Sequence, residues 1–541
     1  MFYERLEKEM VTSDVKKNVV SSETNEEEDL MNLVGGDGPW QRWIFVAIIL
    51  CSTPDGCHNM AMTFYAPNID HWCARPAYIN MSVQDWKYKA LPPDDQHCSR
   101  YKYFNLSNIH EDTNTTKWKE RIACDSWEYD RSVFRNTVLS EWNLVCDKEW
   151  LVSMTKSIFI AGYFLSAIVF GYLADRIGRK SVITIANAIS LIFSIVCAFS
   201  TSFVMFAVCR FFIAAGVTGV DNTSFVLLME IIGPKFRTKY GMSTHFGWII
   251  GCMSLPLLAW LLGDWFWMQL IITLPCILLL STYWLLPESP RWLLAQGKED
   301  AALEILSKAA KKNGMDLTER GTKLKETIYK TTKAHKNEDA SVNVLQLFKR
   351  GMWKKSTIVF YLWFVNAFMY YGISYNTNEL AGDPFKNFVM YGVIEIPSYV
   401  LTYFAIHSKG RRNPLALILA GAGVSYLLIY PVPNGSCWIT VLSLFGKFCI
   451  TCSFCIVYLF TAEIFPTVVR NVGIGAASIS GQIGSISAPF VRELGKATHP
   501  AIPQIVFGVL AATGGCLVLL LPETNNRRVP DTLSEATEIS K

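Results

Sequence analysis

Charge is scarce in this chain. Only 18% of its 541 residues are Asp, Glu, Lys or Arg, against about 25% in an average soluble domain, while 51% are hydrophobic. A shortage on that scale points away from a soluble fold. The spacings that carry covalent, nucleotide or metal chemistry are also missing. No nucleophile triad, glycine-rich nucleotide loop or His/Cys ligand spacing stands out, so an enzyme reading finds no support and neither a cofactor nor a metal is expected. The start lacks a cleavable signal peptide, because no apolar core follows a basic beginning. The first 38 residues are polar instead, with the acidic run "NEEED" at 25–29. The first apolar span must then serve as the targeting signal. A net charge of +4 is too small to imply a nucleic-acid partner.

What the chain has in quantity is apolar runs of roughly 20 residues, the length that crosses a bilayer. Twelve are read, near 44–66, 151–174, 182–200, 204–228, 241–262, 264–286, 353–373, 384–406, 414–430, 437–461, 472–492 and 501–522. They are called spans 1 to 12. Basic residues follow the even-numbered spans: "DRIGRK", "PKFRTK", "PRWLLAQGK", "KGRR" and Arg470. By the positive-inside rule those ends face the cytoplasm, which puts both termini there. Arg492 and Lys496, after span 11, are a mild exception. The expected partition is a cytoplasmic segment at 1–43, a six-span half at 44–286, a cytoplasmic linker with short helices at 287–352, a second six-span half at 353–522 and a tail at 523–541.

The long segment at 67–150 falls outside by the same rule. It holds Cys73, Cys98, Cys124 and Cys146, an even set that suggests two disulfides with three pairings open. It also holds the sequons of Asn80, Asn105 and Asn114, expected sites of N-glycosylation. The remaining cysteines sit mostly within spans, where a thiol is a small apolar residue.

Three basic-end signatures recur between the halves. "ADRIGRK" is echoed by "HSKGRRN", Glu230 and Arg237 by Glu463 and Arg470, and "PESPR" by "PETNN". The offsets are 411−179 = 232, 470−237 = 233 and 523−288 = 235. A near-constant offset implies two halves of like orientation, the parallel-repeat arrangement of major facilitator transporters. Asp175, Arg179, Glu230, Arg237, Glu463 and Arg470 then form a candidate latch closing the halves on the inner side. Asp175 is placed at the N-terminus of a neighbouring helix, where the macrodipole favours an anion.

"GYLADRIGRK", "PESPRWLLAQGK", "SEWNLVC" at 140–146 and "EIFPTVVRNVG" at 463–473 closely resemble the organic ion transporters of the solute carrier 22 family. The resemblance runs from span 1 to "LPET" at 521–524 and leaves out the acidic start. It implies an all-α integral membrane protein with the major facilitator fold, twelve helices and alternating access, residing as a multi-pass protein in the plasma membrane. Its substrate would be a small organic cation, zwitterion or anion, with any coupling ion left open.

An ionisable residue inside a span marks a functional site by default. Asp221 in span 4 shares a helical face with Thr218 and Phe225. The resembling cation carriers have tryptophan in its place, and a carboxylate beside an aromatic suits an ammonium group. Glu395 in span 8 stands in an "EIP" setting like theirs, although a structural pair with Lys447 is the plain alternative. Asp55, with His58 and Asn59 beside it, lies in span 1. Tyr163, Phe164, Trp248, His245, Tyr370 and Tyr371 match cavity positions of the family. Gln482 stands where its cation carriers have aspartate and many of its anion and zwitterion carriers have arginine. A neutral amide bonds either kind of substrate and fixes the sign of neither. Four readings stand side by side: a cation or amine carrier, a zwitterion carrier coupled to Na⁺ or H⁺ or uncoupled, an anion exchanger, and a sensor or trafficking protein without flux. The bilayer is the one partner common to all four.

Overall fold

The computed structural model describes residues 29–102, 120–315 and 352–525, apart from 378, 379, 381, 434, 467 and 468, together with 321–322, 324–328 and 347–348 of the linker. The sequons of Asn105 and Asn114 lie outside the described residues, while Asn80 is exposed.

A helix occurs at each of the twelve apolar runs. Nine of the described helices are long and apolar enough to cross a membrane by length and composition alone. Helices Pro39–Met60 and Arg470–Ser487 are not among them. Polar side chains such as Gln41, Asp55, His58 and Asn59 interrupt the first, and glycines and serines dilute the second. The helix of span 1 begins at Pro39 rather than near residue 44, since proline at the first helical position costs no hydrogen bond. Several predicted runs are divided, among them span 5, which parts at Thr244 into Arg237–Ser243 and His245–Leu262. Span 8 divides into Pro384–Val393 and Glu395–Lys409. Span 11 ends at Ser487, and a short helix Phe490–Ala497 follows Pro489.

Between spans 1 and 2 lies a small covalently braced unit. His71–Cys73 pairs antiparallel with Trp127–Tyr129, and Ser99–Tyr101 with Arg121–Ala123. Of the three open pairings the structure takes Cys73–Cys124 and Cys98–Cys146. The ring of Trp86 is fully buried beneath them and donates its indole N–H to the Cys73 carbonyl at 2.8 Å.

The repeat read from the signatures reappears as matching contacts. After span 2, the chain turns at Gly178 (φ +97°), and a Cβ there would strike the Glu288 carboxylate. Glu288 accepts the backbone N–H of Arg179 at 2.9 Å, capping the next helix, while the Arg179 guanidinium pairs with Glu230 at 2.9 Å and donates to the Ala174 carbonyl. After span 8, the turn is Gly410 (φ +83°), against the Glu523 carboxylate. Glu523 accepts the Arg411 N–H at 3.0 Å, and the Arg411 guanidinium pairs with Glu463 at 3.0 Å and donates to the Ile406 carbonyl. One expectation changes here. The anion at the helix N-terminus is Glu288, while Asp175, exposed near the end of the preceding helix, reaches across the Gly178 turn to the Arg179 guanidinium at 3.0 Å. Glu230 is held by Arg179 and Glu463 by Arg411, each guanidinium coming from the adjoining turn. A guanidinium arriving from the adjoining turn meets each carboxylate in the plane of its fork.

These clusters also do not bridge the two sets of helices. Each lies wholly among helices of spans 1–6 or of spans 7–12. Among the described residues, ion pairs between the sets occur only at the opposite end, the end that bears the disulfide unit. There Glu149 meets Arg492 at 3.1 Å and Lys496, and Ser153 donates to Glu493 at 2.7 Å. The apolar packing agrees. One core is built from spans 7–12 alone, and a second, at the basic end of spans 1–6, likewise admits no partner. The third, at the disulfide end, takes in Tyr375 and Phe388 from the other set. Phe64 stacks on Phe385 at 5.8 Å and meets Phe388 edge to face at 5.0 Å. The molecule is shut at the disulfide end.

Cys98 and Cys146 are 48 residues apart. Closing a loop of that length removes about 4 kcal/mol of chain entropy from the unfolded unit. Peptide mapping without reductant is expected to recover the 73–124 and 98–146 pairs. The double substitution Cys98→Ser and Cys146→Ser should make the 67–150 segment markedly more sensitive to trypsin applied to intact cells, and equal sensitivity would contradict the pairing.

Candidate substrate-binding site

The in-membrane charges read from the sequence settle into three groups near the meeting line of the two sets. The first is Asp221, half-buried on Phe203–Ile231. Its carboxylate accepts a short hydrogen bond from Ser52 of span 1 and makes no ion pair among the described residues. Thr218, one turn earlier, is buried with a hydroxyl that finds no partner. Asp221 and Glu395 both act electrostatically on His245, which starts the helix His245–Leu262. That imidazole is solvent-accessible and stacks on Tyr399 of the other set, with centroids 5.1 Å apart and planes 3° from parallel. His245 therefore stands between a carboxylate of each set.

The second group is Glu395, 4% exposed at the break in span 8. The plain alternative is the one the structure takes. Glu395 pairs with Lys447 at 2.9 Å and accepts the Tyr370 hydroxyl at 2.7 Å. The Lys447 ammonium also donates to Ser374 at 2.8 Å and lies 3.3 Å from the centroid of the Tyr370 ring. A lysine 2% exposed needs this full set of partners, because an uncompensated charge at that depth costs several kcal/mol.

The third group is a chain of polar groups crossing from one set to the other. The Tyr163 hydroxyl donates to Asp55, the Asn59 amide donates to Tyr163 at 2.7 Å, and the Tyr375 hydroxyl donates to the Asn59 carbonyl at 3.0 Å. Tyr371 packs its ring against Tyr375 and Tyr370, at 5.8 and 5.4 Å. This chain roofs the first two groups on the disulfide side.

Gln482 is half-buried on Arg470–Ser487, and its carbonyl oxygen is shielded and accepts nothing. Trp248 is half-buried on the span 5 helix, whose backbone presses closely on Gly56. Phe164 is half-buried and joins none of the groups by a hydrogen bond or ring contact among the described residues. Sequence reasoning missed Ser52, Ser374, Tyr375 and Tyr399. All four carried a readable signal: Tyr399 lies one turn after Glu395, Ser374 and Tyr375 one turn after Tyr370 and Tyr371, and Ser52 three residues before Asp55, hence on the same faces.

The arrangement can hold a small molecule by charge and by ring faces. It offers two carboxylates without a cation, of which Asp221 is the less buried, a paired carboxylate and ammonium, several tyrosines and an amide carbonyl that lacks a donor. It contains no nucleophile set against a base, and among the described residues no group of three or more His, Cys, Asp or Glu is placed to hold a metal.

The family model described as sugar (and other) transporter matches residues 99–532. An organic cation transporter protein of Drosophila melanogaster is 34% identical over 531 residues, covering 95% of each chain. Solute carrier family 22 member 4 of Mus musculus is 32% identical over 536 residues, again 95% of each. The organic cation/carnitine transporter 2 of Homo sapiens is 31% identical over 534 residues, 95% of this chain and 94% of its own. The inward-open structure of the xylose transporter XylE from E. coli superposes with a TM-score of 0.60 at 14% identity, covering 92% of this chain and 98% of that one. That likeness establishes the fold. A multi-pass membrane transporter rather than an enzyme, the chain belongs to the solute carrier 22 family of the major facilitator superfamily.

Proposed function

We propose that the chain carries small organic cations or amines across the plasma membrane by rocking its two halves, 44–286 and 353–522, about a central site, with both termini cytoplasmic and the 67–150 loop glycosylated outside. The observation that carries this reading is Asp221. Asp221 and Asp55 both lack a cation among the described residues, but Asp55 is 5% exposed and tied to Tyr163, whereas Asp221 is only half-buried, with a hydroxyl bonded to it and an imidazole in its electrostatic reach. Glu395 already has Lys447, and Asp55 is bound to Tyr163 inside the roof. An ammonium group supplies what Asp221 lacks, and each aromatic face adds about 0.5–2 kcal/mol. The relatives' printed names, organic cation and organic cation/carnitine transporter, support the same class. Gln482 adds a neutral acceptor and no charge.

A zwitterion such as a carnitine-like amine is the second reading, favoured by one observation. The Glu395–Lys447 pair presents both signs beside the site, and a substrate carboxylate can compete with Glu395 for the Lys447 ammonium. An aryl carboxylate alone would meet Asp221 as a like charge, which disfavours an anion exchanger. Na⁺ or H⁺ coupling would show as a change in uptake on removing Na⁺ or shifting pH.

Uptake of a labelled quaternary amine, a carnitine-like zwitterion and an aryl carboxylate into cells expressing the chain separates these readings. Asp221→Asn is expected to cut uptake of the amine about tenfold, equivalent to about 1.4 kcal/mol of lost binding, with normal surface expression. Entry of the carboxylate alone, or full amine uptake by Asp221→Asn, would sink the cation reading.

Alternating access also gives the contacts at the disulfide end a role as the outer gate. Glu149 stands between Arg492 and Lys496, and Ser157 donates to the Ile486 carbonyl at 2.6 Å. Glu149→Gln should loosen this closure. A cysteine introduced by Ser157→Cys is then expected to react several-fold faster with an impermeant thiol reagent in the Glu149→Gln background than alone. Identical rates would remove Glu149 from the gate.

A further inference from the structure

Span 4 carries a second charge that the transport site does not use. Arg210 lies two turns into Phe203–Ile231 and is 0% exposed. Its Nε, Nη1 and Nη2 are all buried and meet no acceptor, neither carboxylate nor carbonyl. What surrounds it is aromatic: its guanidinium carbon is 4.1 Å from the Phe159 ring centroid and 6.0 Å from that of Tyr65. The Tyr65 hydroxyl is already spent on Gln269 at 2.7 Å. The titratable groups acting most strongly on Arg210 are Tyr65, Cys197, Tyr375 and Tyr163, with no carboxylate among them. Asp55 is turned toward Tyr163. His58, one turn further along span 1, feels the charge of Arg210, is itself 0% exposed, and has two ring nitrogens without a partner.

Two unsatisfied polar side chains thus sit on helices that pack together, Pro39–Met60 and Phe203–Ile231, within electrostatic reach of each other. An arginine cannot shed its proton to relieve this. Ring faces offset part of the cost, by about 2 kcal/mol at best, whereas a buried ion without a counter-charge costs several. Water would satisfy N–H groups but leave the charge. An acceptor that carries a negative charge meets both needs. The surroundings limit its size, since Phe159, Phe206, Ile213 and Ala214 pack here with essentially no exposed surface.

We propose that Arg210 and His58 bind a small inorganic anion of about the size of chloride between spans 1 and 4. The guanidinium supplies the charge and the in-plane N–H donors, and the imidazole adds one N–H from the facing helix. The ion completes the packing of spans 1, 2 and 4 behind the roof of the transport site. Binding is independent of what the transporter carries, so the proposal stands or falls apart from the cation reading.

The test is the melting temperature of the purified full-length protein in detergent, at constant ionic strength, with gluconate replaced stepwise by chloride, bromide or sulfate. The expected result is a rise that sets in over a defined concentration range and then grows with the logarithm of the anion, given by chloride and bromide and not by sulfate. His58→Phe, an apolar replacement, is expected to move that range to higher chloride. Arg210→Lys should weaken the response several-fold, and Arg210→Met, where it folds, should abolish it. Equal melting temperatures in gluconate and chloride for the unaltered protein would overturn the proposal. So would a chloride response left unchanged in both His58→Phe and Arg210→Lys, because the anion would then be acting elsewhere.

Discussion

A charge inside hydrocarbon must find its compensation within the protein, and most of this structure follows from that requirement. Water is not there to solvate it, so each buried carboxylate or cation dictates what stands beside it. Glu395 and Lys447 are joined to each other and further secured by Tyr370 and Ser374. Glu230 and Glu463, at the membrane edge, each take a guanidinium delivered by a tight glycine turn. Where compensation is incomplete, at Asp221 and at Arg210, the structure exposes a demand that only a ligand or solvent can meet.

The two halves solve this requirement identically at the basic end and differently at the centre. Gly178, Arg179, Glu230 and Glu288 correspond to Gly410, Arg411, Glu463 and Glu523 in position, partner and backbone contact. A cluster so closed upon itself stiffens the basic ends of spans 2, 3 and 4, or 8, 9 and 10, as a unit. It leaves the opposite half free to move past. At the centre the symmetry is gone: the first half offers Asp221 and Asp55 without a cation and the second the Glu395–Lys447 pair. Under the proposed reading, that asymmetry suits a cationic substrate held by one half while the other rocks.

Much of this was legible in the sequence. The twelve runs, the repeat and its three signatures, and the even set of outer cysteines all depend on local composition or fixed offsets, and those survive without tertiary knowledge. The resemblance carried the cavity positions at Asp221, His245 and Tyr370. What the sequence could not yield was pairing. Glu230 stands seven residues from Arg237, yet its partner Arg179 comes from another helix 51 residues away. Three disulfide pairings were open because sequence separation does not encode which strands lie side by side. The breaks in spans 8 and 11 were invisible to an apolar window, which responds to composition and not to the phase of the backbone. Arg210 was overlooked for a related reason. It sits in a strongly apolar run as a single residue, and only its surroundings reveal that nothing answers its charge.

The closure at the disulfide end has to be firm enough to separate two solutions and weak enough to be undone in every cycle. Its ion pairs lie where they are partly hydrated: the side chains of Glu149 and Lys496 are 32% and 42% exposed. Pairs of that kind contribute about 0–1 kcal/mol each, far less than a dry pair such as Glu395–Lys447 costs to break. The ring contacts of Phe64 with Phe385 and Phe388 and the hydrogen bonds of Ser153 and Ser157 add increments of similar size. A sum of a few kcal/mol is the range in which two conformations both remain populated, and a substrate with a modest preference between them can tip the balance. A buried salt bridge in the same place would have made a stable protein and a poor transporter.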